Sequence, residues 1–409
     1  MSTAEGPYNE KIKKFPTVKE YVLSKKKEMS RTAQRLDFYP TSMEWFASGL
    51  ERLGNVMSGH PELCDRTPVL PTVIGFAAKM VNISIGDLYR DPETYSRVLV
   101  KVFEMLDVEP FCIPLYADYW NEDYGGVVQW PIGEYMSAPA IMEYPLKTAE
   151  DVEKLHIWDV DEMPKYSPSH IYHMLGQETV KKLLGPAFMP LAFPYCMFTV
   201  AGAMVQPGTL MLWVMKQPEV VHKLLKKVVE NGVNHCLAVA KEYGSAFIAT
   251  GSVLAGDETL SPKQCRDFNI VYLKEMVERA LKGGAGPGIL YHLCGSHKLD
   301  WKMHTELCPL NEASMFHVAY YGREPADLTD VIPVVGDKCP ILGNVTTQLM
   351  HLGTAKEVYE EAKRQILTYR HSPKGFILGV GCETPPLAPP TNVYALVKAS
   401  KDCGPLPKA

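Results

Sequence analysis

No apolar run in this chain reaches the roughly 18 residues that a membrane-spanning helix needs, which argues against a helical span. The first residues mix lysine and glutamate around no apolar core, so no secretory signal is expected. Neither sign of charge dominates. The 42 basic and 47 acidic residues leave a net charge of -5, which gives no electrostatic footprint for nucleic acid or an anionic membrane. No Gly-x-Gly-x-x-Gly follows the first strand-like run, which weakens a dinucleotide-binding open sheet. The ten cysteines are scattered over 409 residues without the spacing of a disulfide framework, so a reducing, cytoplasmic setting is expected. Short-period repeats and low-complexity tracts are also missing.

What remains is an ordinary globular composition, 46% hydrophobic and 22% charged. From Met1 to about Asp65 the pattern is charged and helical, as in Val18-Lys19-Glu20-Tyr21-Val22-Leu23, and predicts an N-terminal helical extension over 1–65 packed on something larger. A rhythm of strand-length apolar runs then begins over 66–409. They lie at Pro68–Val73, Pro110–Tyr116, Leu184–Leu191, Ala246–Thr250, Gly288–Gly295, Ala313–Val318, Pro340–Val345 and Gly375–Val380. Helix-start signals separate most of them, among them Asp91-Pro92-Glu93, Ser261-Pro262-Lys263 and the capping-box spacing of Thr354 and Glu357. Near-continuous apolar strands alternating with helices imply a parallel sheet covered on both faces. Eight in succession predict an α/β fold of the (β/α)8 TIM-barrel type, with a doubly wound sheet as the other arrangement. The Trp-, Tyr- and Pro-rich stretch over 121–168 reads as an insertion across the barrel mouth.

Two of these strands end in reactive groups. In Ile289-Leu290-Tyr291-His292-Leu293-Cys294-Gly295, residues two apart share a face, so His292 and Cys294 project together. Cys382 follows Gly375-Phe376-Ile377-Leu378-Gly379-Val380-Gly381 in the same construction. One imidazole and two thiolates are three of the four ligands of tetrahedral zinc, with one place left for substrate. Cysteine also packs as a small hydrophobe, and spacing alone leaves both readings open. A barrel sharpens the first, because its chemistry sits where strands end. Asp118, Tyr195, Ser252, Asp257, His317 and Asn344 lie near other strand ends. His297, His304 and Cys308 fall in the following helical segment, where a structural or solvent-facing role is expected.

The region from about Arg52 to Ala399 resembles the uroporphyrinogen decarboxylase superfamily, closest to its zinc-dependent, corrinoid-linked methyltransferase branch. The resemblance is carried by Ile289–Gly295, by Leu342-Gly343-Asn344-Val345 with Leu352-Gly353-Thr354, and by Gly375-Phe376-Ile377-Leu378 with Gly381-Cys382-Glu383-Thr384-Pro385-Pro386. Ala201-Gly202-Ala203-Met204 and Asp257 with Leu260-Ser261-Pro262 add weaker matches. The resemblance implies a (β/α)8 barrel, Zn2+ on His292, Cys294 and Cys382, and a partner corrinoid (cobalamin) protein whose Co(I) accepts a methyl group. It allows two reactions: demethylation of a methylated small molecule, or methylation of a thiol such as coenzyme M. The chain departs from the decarboxylases in lacking their arginine cluster around Arg66–Gly75, and Ser296-His297 stands where asparagine and a small residue are expected.

Tyr116, Tyr119, Trp120, Tyr124, Trp130, Tyr195, Tyr320 and Tyr321 make the expected mouth aromatic, which favours a methoxylated aromatic donor. A sulfonate would want a cation, and Arg323 is the loop candidate. Expected substrate contacts are Asp118, Tyr116, Tyr195, His317 and Tyr320. Glu383 or Asp257 would act as proton donor or fourth ligand, and Asn344 would hydrogen-bond substrate. A homo-oligomer and a non-catalytic barrel that has lost its chemistry are both compatible with the sequence.

Overall fold

The computed structural model describes residues 12–25, 36, 41–112, 114, 117–133, 136–185 and 188–406. Its strands are β1 (Val127–Gln129), β2 (Ala140–Glu143), β3 (Leu191–Ala192), β4 (Phe247–Ser252), β5 (Ile289–Ser296), β6 (Met315–Tyr321), β7 (Glu324–Pro325), β8 (Ile341–Val345) and β9 (Phe376–Val380). Six of them form one parallel sheet in the order β3-β4-β5-β6-β8-β9, and β7 folds back antiparallel on β6. Every residue of β4, β8 and β9 is buried, as a sheet with helices outside and side chains inside demands.

The ring is completed without regular strands. Leu70 N–H donates to Leu378 O and Leu378 N–H to Pro68 O, both at 2.8 Å, so Pro68–Thr72 lies beside β9. Glu109 N–H reaches Val69 O at 3.1 Å and sets the next segment beside it. The remaining seam is bridged by side chains of the helix Pro168–Leu184. His173 Nδ1 meets Pro114 O at 2.8 Å, and Gln177 Nε2 donates to Leu191 O at 2.7 Å. Among the described residues, Pro68–Val73 and Pro110–Cys112 with Pro114 form no regular strand. Pro68, Pro71, Pro110 and Pro114 have no N–H to give a ladder. Ile113, Leu115 and Tyr116 lie outside the described residues. The run at Leu184–Leu191 is corrected as well: Leu184 ends a helix, Gly185 takes φ +60°, and among the described residues pairing with β4 begins at Leu191.

One apolar side chain from each of the eight positions fills the base of the barrel: Leu70, Phe111, Leu191, Phe247, Leu290, Met315, Leu342 and Ile377. Leu53 and Val56, from the helix Met43–Met57, close this layer from below. That helix starts at Ser42, whose Oγ accepts from Trp45 N–H at 3.2 Å. It is held by Arg52, whose Nε donates to Glu109 Oε1 at 2.6 Å, and Glu109 Oε2 accepts from Val69 N–H. The earlier helix Val18–Ser24 docks through Tyr21 and Lys25 onto Glu122. Within 121–168, β1 and β2 make an antiparallel hairpin, anchored where Leu146 N–H donates to Met204 O at 3.0 Å. Among the described residues no helix is long and apolar enough to cross a membrane.

Glu109 thus joins the N-terminal helix to two barrel segments by a fully buried charge. Glu109→Ala would strand Arg52 and Arg66 and is predicted to cost about 3–5 kcal/mol. Urea denaturation checks this; a loss under about 1 kcal/mol would mean that the clamp does not carry the junction.

Candidate metal centre

Above the apolar base, the same strand faces carry polar groups. Alternation along β5 puts Leu290, His292 and Cys294 on one side. β4 lies so close at this level that a Cβ on Gly251 would sit 1.8 Å from His292 O, so only glycine fits there. After Cys294 the ladder with β6 loses register between Leu293 and Ser296, and Gly295 takes φ +82°. This bulge ends the strand and turns the following residues away from the barrel. β9 delivers Cys382 two residues past its end at Val380.

The expected ligands converge. Cys294 Sγ and Cys382 Sγ are 3.5 Å apart, and each of these sulfurs lies within 4.8 Å of a ring nitrogen of His292. Two thiolates at ~2.3 Å from a tetrahedral zinc would be separated by ~3.8 Å, so the pair is set for an ion with little movement. The spacing is far beyond the ~2.05 Å of a disulfide, and both cysteines are free. Hydrogen bonding from the Cys294 thiol, helped by His292 against burial, holds Cys382 well below the ordinary thiol range. The same hydrogen bond, reinforced by burial, pushes Cys294 upward. A cation that holds both sulfurs would have to displace the proton between them.

His292 Nδ1 is 2.5 Å from His317 Nδ1, and the rings stack at 4.7 Å with planes 20° apart. With Nδ1 so engaged, Nε2 is the nitrogen His292 can offer to an ion. His317 is buried, first by desolvation and then by His292 held below the ordinary histidine range, and it orients the ligand from behind. His317, an expected substrate contact, lies against His292.

Glu383 follows Cys382 directly. Its Oε1 accepts from Gly75 N–H at 2.8 Å, and its carboxyl is pushed up to about 7, chiefly by burial and further by the Cys382 charge, against the Gly75 hydrogen bond. Tyr320 stands beside the same loop: a Cβ on Gly381 would lie 3.2 Å from its hydroxyl, which bonds Thr347 Oγ1 at 3.1 Å.

The aromatic wall comes from a turn the sequence does not advertise. Tyr119, Trp120 and Tyr195 all take left-handed backbone angles, φ 54°, 61° and 57°, unusual for bulky residues. Asp118 accounts for the first two. Fully buried, it accepts from Trp120 N–H at 3.1 Å, Glu122 N–H at 3.0 Å and Ser169 Oγ at 2.9 Å. Tyr195 packs its ring 5.2 Å from Tyr119 and 5.3 Å from Trp120. Burial, then the charges of Cys196, Cys294, Cys382 and Glu383, push the Tyr119 phenol upward. Asp118 and Tyr195 therefore hold this aromatic group together, with Tyr119 against Tyr195.

Three expectations are redirected. Asp257 accepts from Ser296 Oγ and from Leu299 N–H, each at 3.1 Å, and pins the loop after β5. Asn344 Nδ2 donates to Ala326 O at 2.8 Å and Ala319 O at 3.3 Å, and its own N–H is taken by Gln365 Oε1, so it faces the helix layer. Ser252 is likewise engaged by Ala255 O and Asn269. Tyr116 lies outside the described residues. A recess of about 840 Å³ between the helices Ala355–Tyr369 and Pro390–Cys403 lies outside the barrel and gathers none of these groups.

Cys294→Ala and Cys382→Ala are each predicted to lower tightly bound zinc by about one equivalent per chain, measured by elemental analysis of purified protein. Undiminished zinc in both would remove these residues as ligands.

Comparison with known proteins accords with this architecture. The family model described as uroporphyrinogen decarboxylase (URO-D) matches residues 49–403. Among solved structures, a methyltransferase from Methanosarcina mazei is similar, with a TM-score of 0.68 at 19% identity over 86% of this chain and 98% of that one. Comparison with curated protein sequences finds no match. The family match spans the barrel and both strands that carry the ligand residues: the chain belongs to the uroporphyrinogen decarboxylase family.

Proposed function

We propose that this protein is a zinc-dependent methyltransferase, which moves a methyl group from a methoxylated aromatic compound to the Co(I) of a separate corrinoid protein in the cytoplasm. The observation that carries the reading is the convergence of His292, Cys294 and Cys382 at the exits of β5 and β9. A methyltransferase name on the similar Methanosarcina mazei structure agrees with it. Zinc on these three ligands, with a fourth position open, would supply a Lewis acid to draw charge from the oxygen that loses its methyl group.

The chain's own residues would do the rest. Tyr119, held by the Asp118 turn and backed by Tyr195, offers a ring face to an aromatic substrate, worth about 0.5–1.5 kcal/mol beyond the area buried. Glu383, its carboxyl pushed up to about 7, stands next to Cys382 and would give its proton to the departing phenolate. His317 fixes His292 so that the ligand set is formed before substrate arrives. As the methyl carbon parts from oxygen and joins cobalt, the electron pair of the broken bond stays on the phenolate. The partner would approach over the barrel mouth to bring acceptor and methyl carbon in line.

Decarboxylation of a polyanionic tetrapyrrole fits less well. Arg52 and Arg66 are committed to Glu109 and to Asp107 at the barrel base, so they leave substrate carboxylates unpaired at a cost of several kcal/mol. Arg323, the candidate for a sulfonate, sits exposed on the turn between β6 and β7, which weighs against a coenzyme M site.

Incubation with Co(I) corrinoid and a panel of methoxyarenes, methylamines and methanol tests the reading. Methylated corrinoid, followed by absorbance, is predicted with an arene. Conversion with amines or methanol alone would redirect the substrate class, and methyl transfer only from methylated corrinoid to a thiol would reverse the direction. Tyr119→Ala is predicted to lower kcat/KM for the arene roughly 2–12-fold with zinc content unchanged, and Tyr119→Phe to retain most of it. An arene rate indifferent to Tyr119→Ala would remove this ring from the substrate site.

A further inference from the structure

Behind β5, on the side away from the barrel axis, lies a second group of ligand-type side chains. Cys265 Sγ is 2.9 Å from Asp300 Oδ2 and 3.8 Å from His304 Nε2, and that nitrogen is 3.4 Å from the same carboxylate oxygen. All three residues are at most 2% exposed. Ligands at ~2.0 Å for nitrogen or oxygen and ~2.3 Å for sulfur around a tetrahedral ion stand ~3.3–3.6 Å apart, and the observed spacings bracket that range. We propose that Cys265, Asp300 and His304 form a second, structural site for a zinc-type divalent cation.

The surroundings are those of a metal site rather than of a loose polar contact. Each ligand with a second polar atom has it held: Tyr291 OH meets His304 Nδ1 at 2.6 Å, and His297 Nδ1 meets Asp300 Oδ1 at 2.8 Å. This leaves His304 Nε2 and Asp300 Oδ2 pointing inward, the arrangement that outer-shell partners impose on metal-binding histidines and carboxylates. A dication would offset the charges of the thiolate and carboxylate it binds. Cys265 opens directly into the π turn Arg266–Ile270, an irregularity that in helices often marks a functional position. Cys265 Sγ also lies 3.5 Å from Ala255 O.

The site would steady the first centre without sharing a ligand with it. His297, bonded to Asp300 on one side, reaches Cys294 O at 3.1 Å on the other. The ion would fix Asp300, Asp300 would fix His297, and His297 would fix the backbone that carries Cys294.

Protein equilibrated with excess Zn(II) and passed through a desalting column is predicted to hold two zinc ions per chain. The Cys294→Ala/Cys382→Ala variant should keep one, and the Cys265→Ala/His304→Ala variant should keep the other. A single ion lost with the first variant and indifferent to the second overturns this site while leaving the first centre standing. A single ion lost only with the second variant upholds this site and refutes the first. Where a variant does not fold, titration of the wild-type protein with Co(II) decides: a break at two equivalents supports the proposal, and a break at one, with absorption of the two-thiolate site alone, overturns it.

Discussion

Two sulfur atoms from residues 88 positions apart in sequence are held 3.5 Å from each other at a partly buried strand exit. Two thiolates that close cannot both keep their charge without a cation between them, for the same reason that paired carboxylates share one proton. The neighbourhood is built around that conflict. His292 faces the sulfurs, His317 holds His292, and the elements bringing the thiols together, β5 and β9, are fixed in the sheet by β6 and β8 between them. Without a cation between them, one of the two sulfurs must keep its proton.

The barrel makes the convergence affordable by keeping its other demands at the opposite end. Eight apolar side chains and the helix Met43–Met57 fill the base, and the Arg52–Glu109 pair ties the N-terminal helix to it. The mouth is then free to hold strained and polar features. Three aromatics with left-handed backbones, two of them packed in the core, a bulge at Gly295 and the half-buried Glu383 lie toward that end.

Much of this was legible in the residues. The buried strands β4, β8 and β9 stand out as continuous apolar runs, and the period of two along β5 puts His292 and Cys294 on one face. What escaped has physical causes. The two proline-marked segments join the ring by a few backbone contacts and by His173 and Gln177, whose reach across the seam leaves no periodic trace. Asn344 sits two residues beyond the inward-facing Leu342, so alternation aims it at substrate, yet its amide is drawn outward to Ala326 O. The Tyr119–Trp120 turn depends on an Asp118 carboxylate bonding forward to the backbone, and aspartate has too many other uses for its position alone to signal this. His297, His304 and Cys308, expected to be structural or solvent-facing, are all buried, and the first two join Cys265 and Asp300 in one connected group.

The most direct measurement is an anomalous-difference map at the zinc edge from crystals grown with zinc. The account predicts a peak ~2.3 Å from both Cys294 Sγ and Cys382 Sγ and ~2.0–2.1 Å from Nε2 of His292. No peak among these three atoms in fully loaded crystals, or a peak bound by other residues while the two thiols remain protonated, would contradict it.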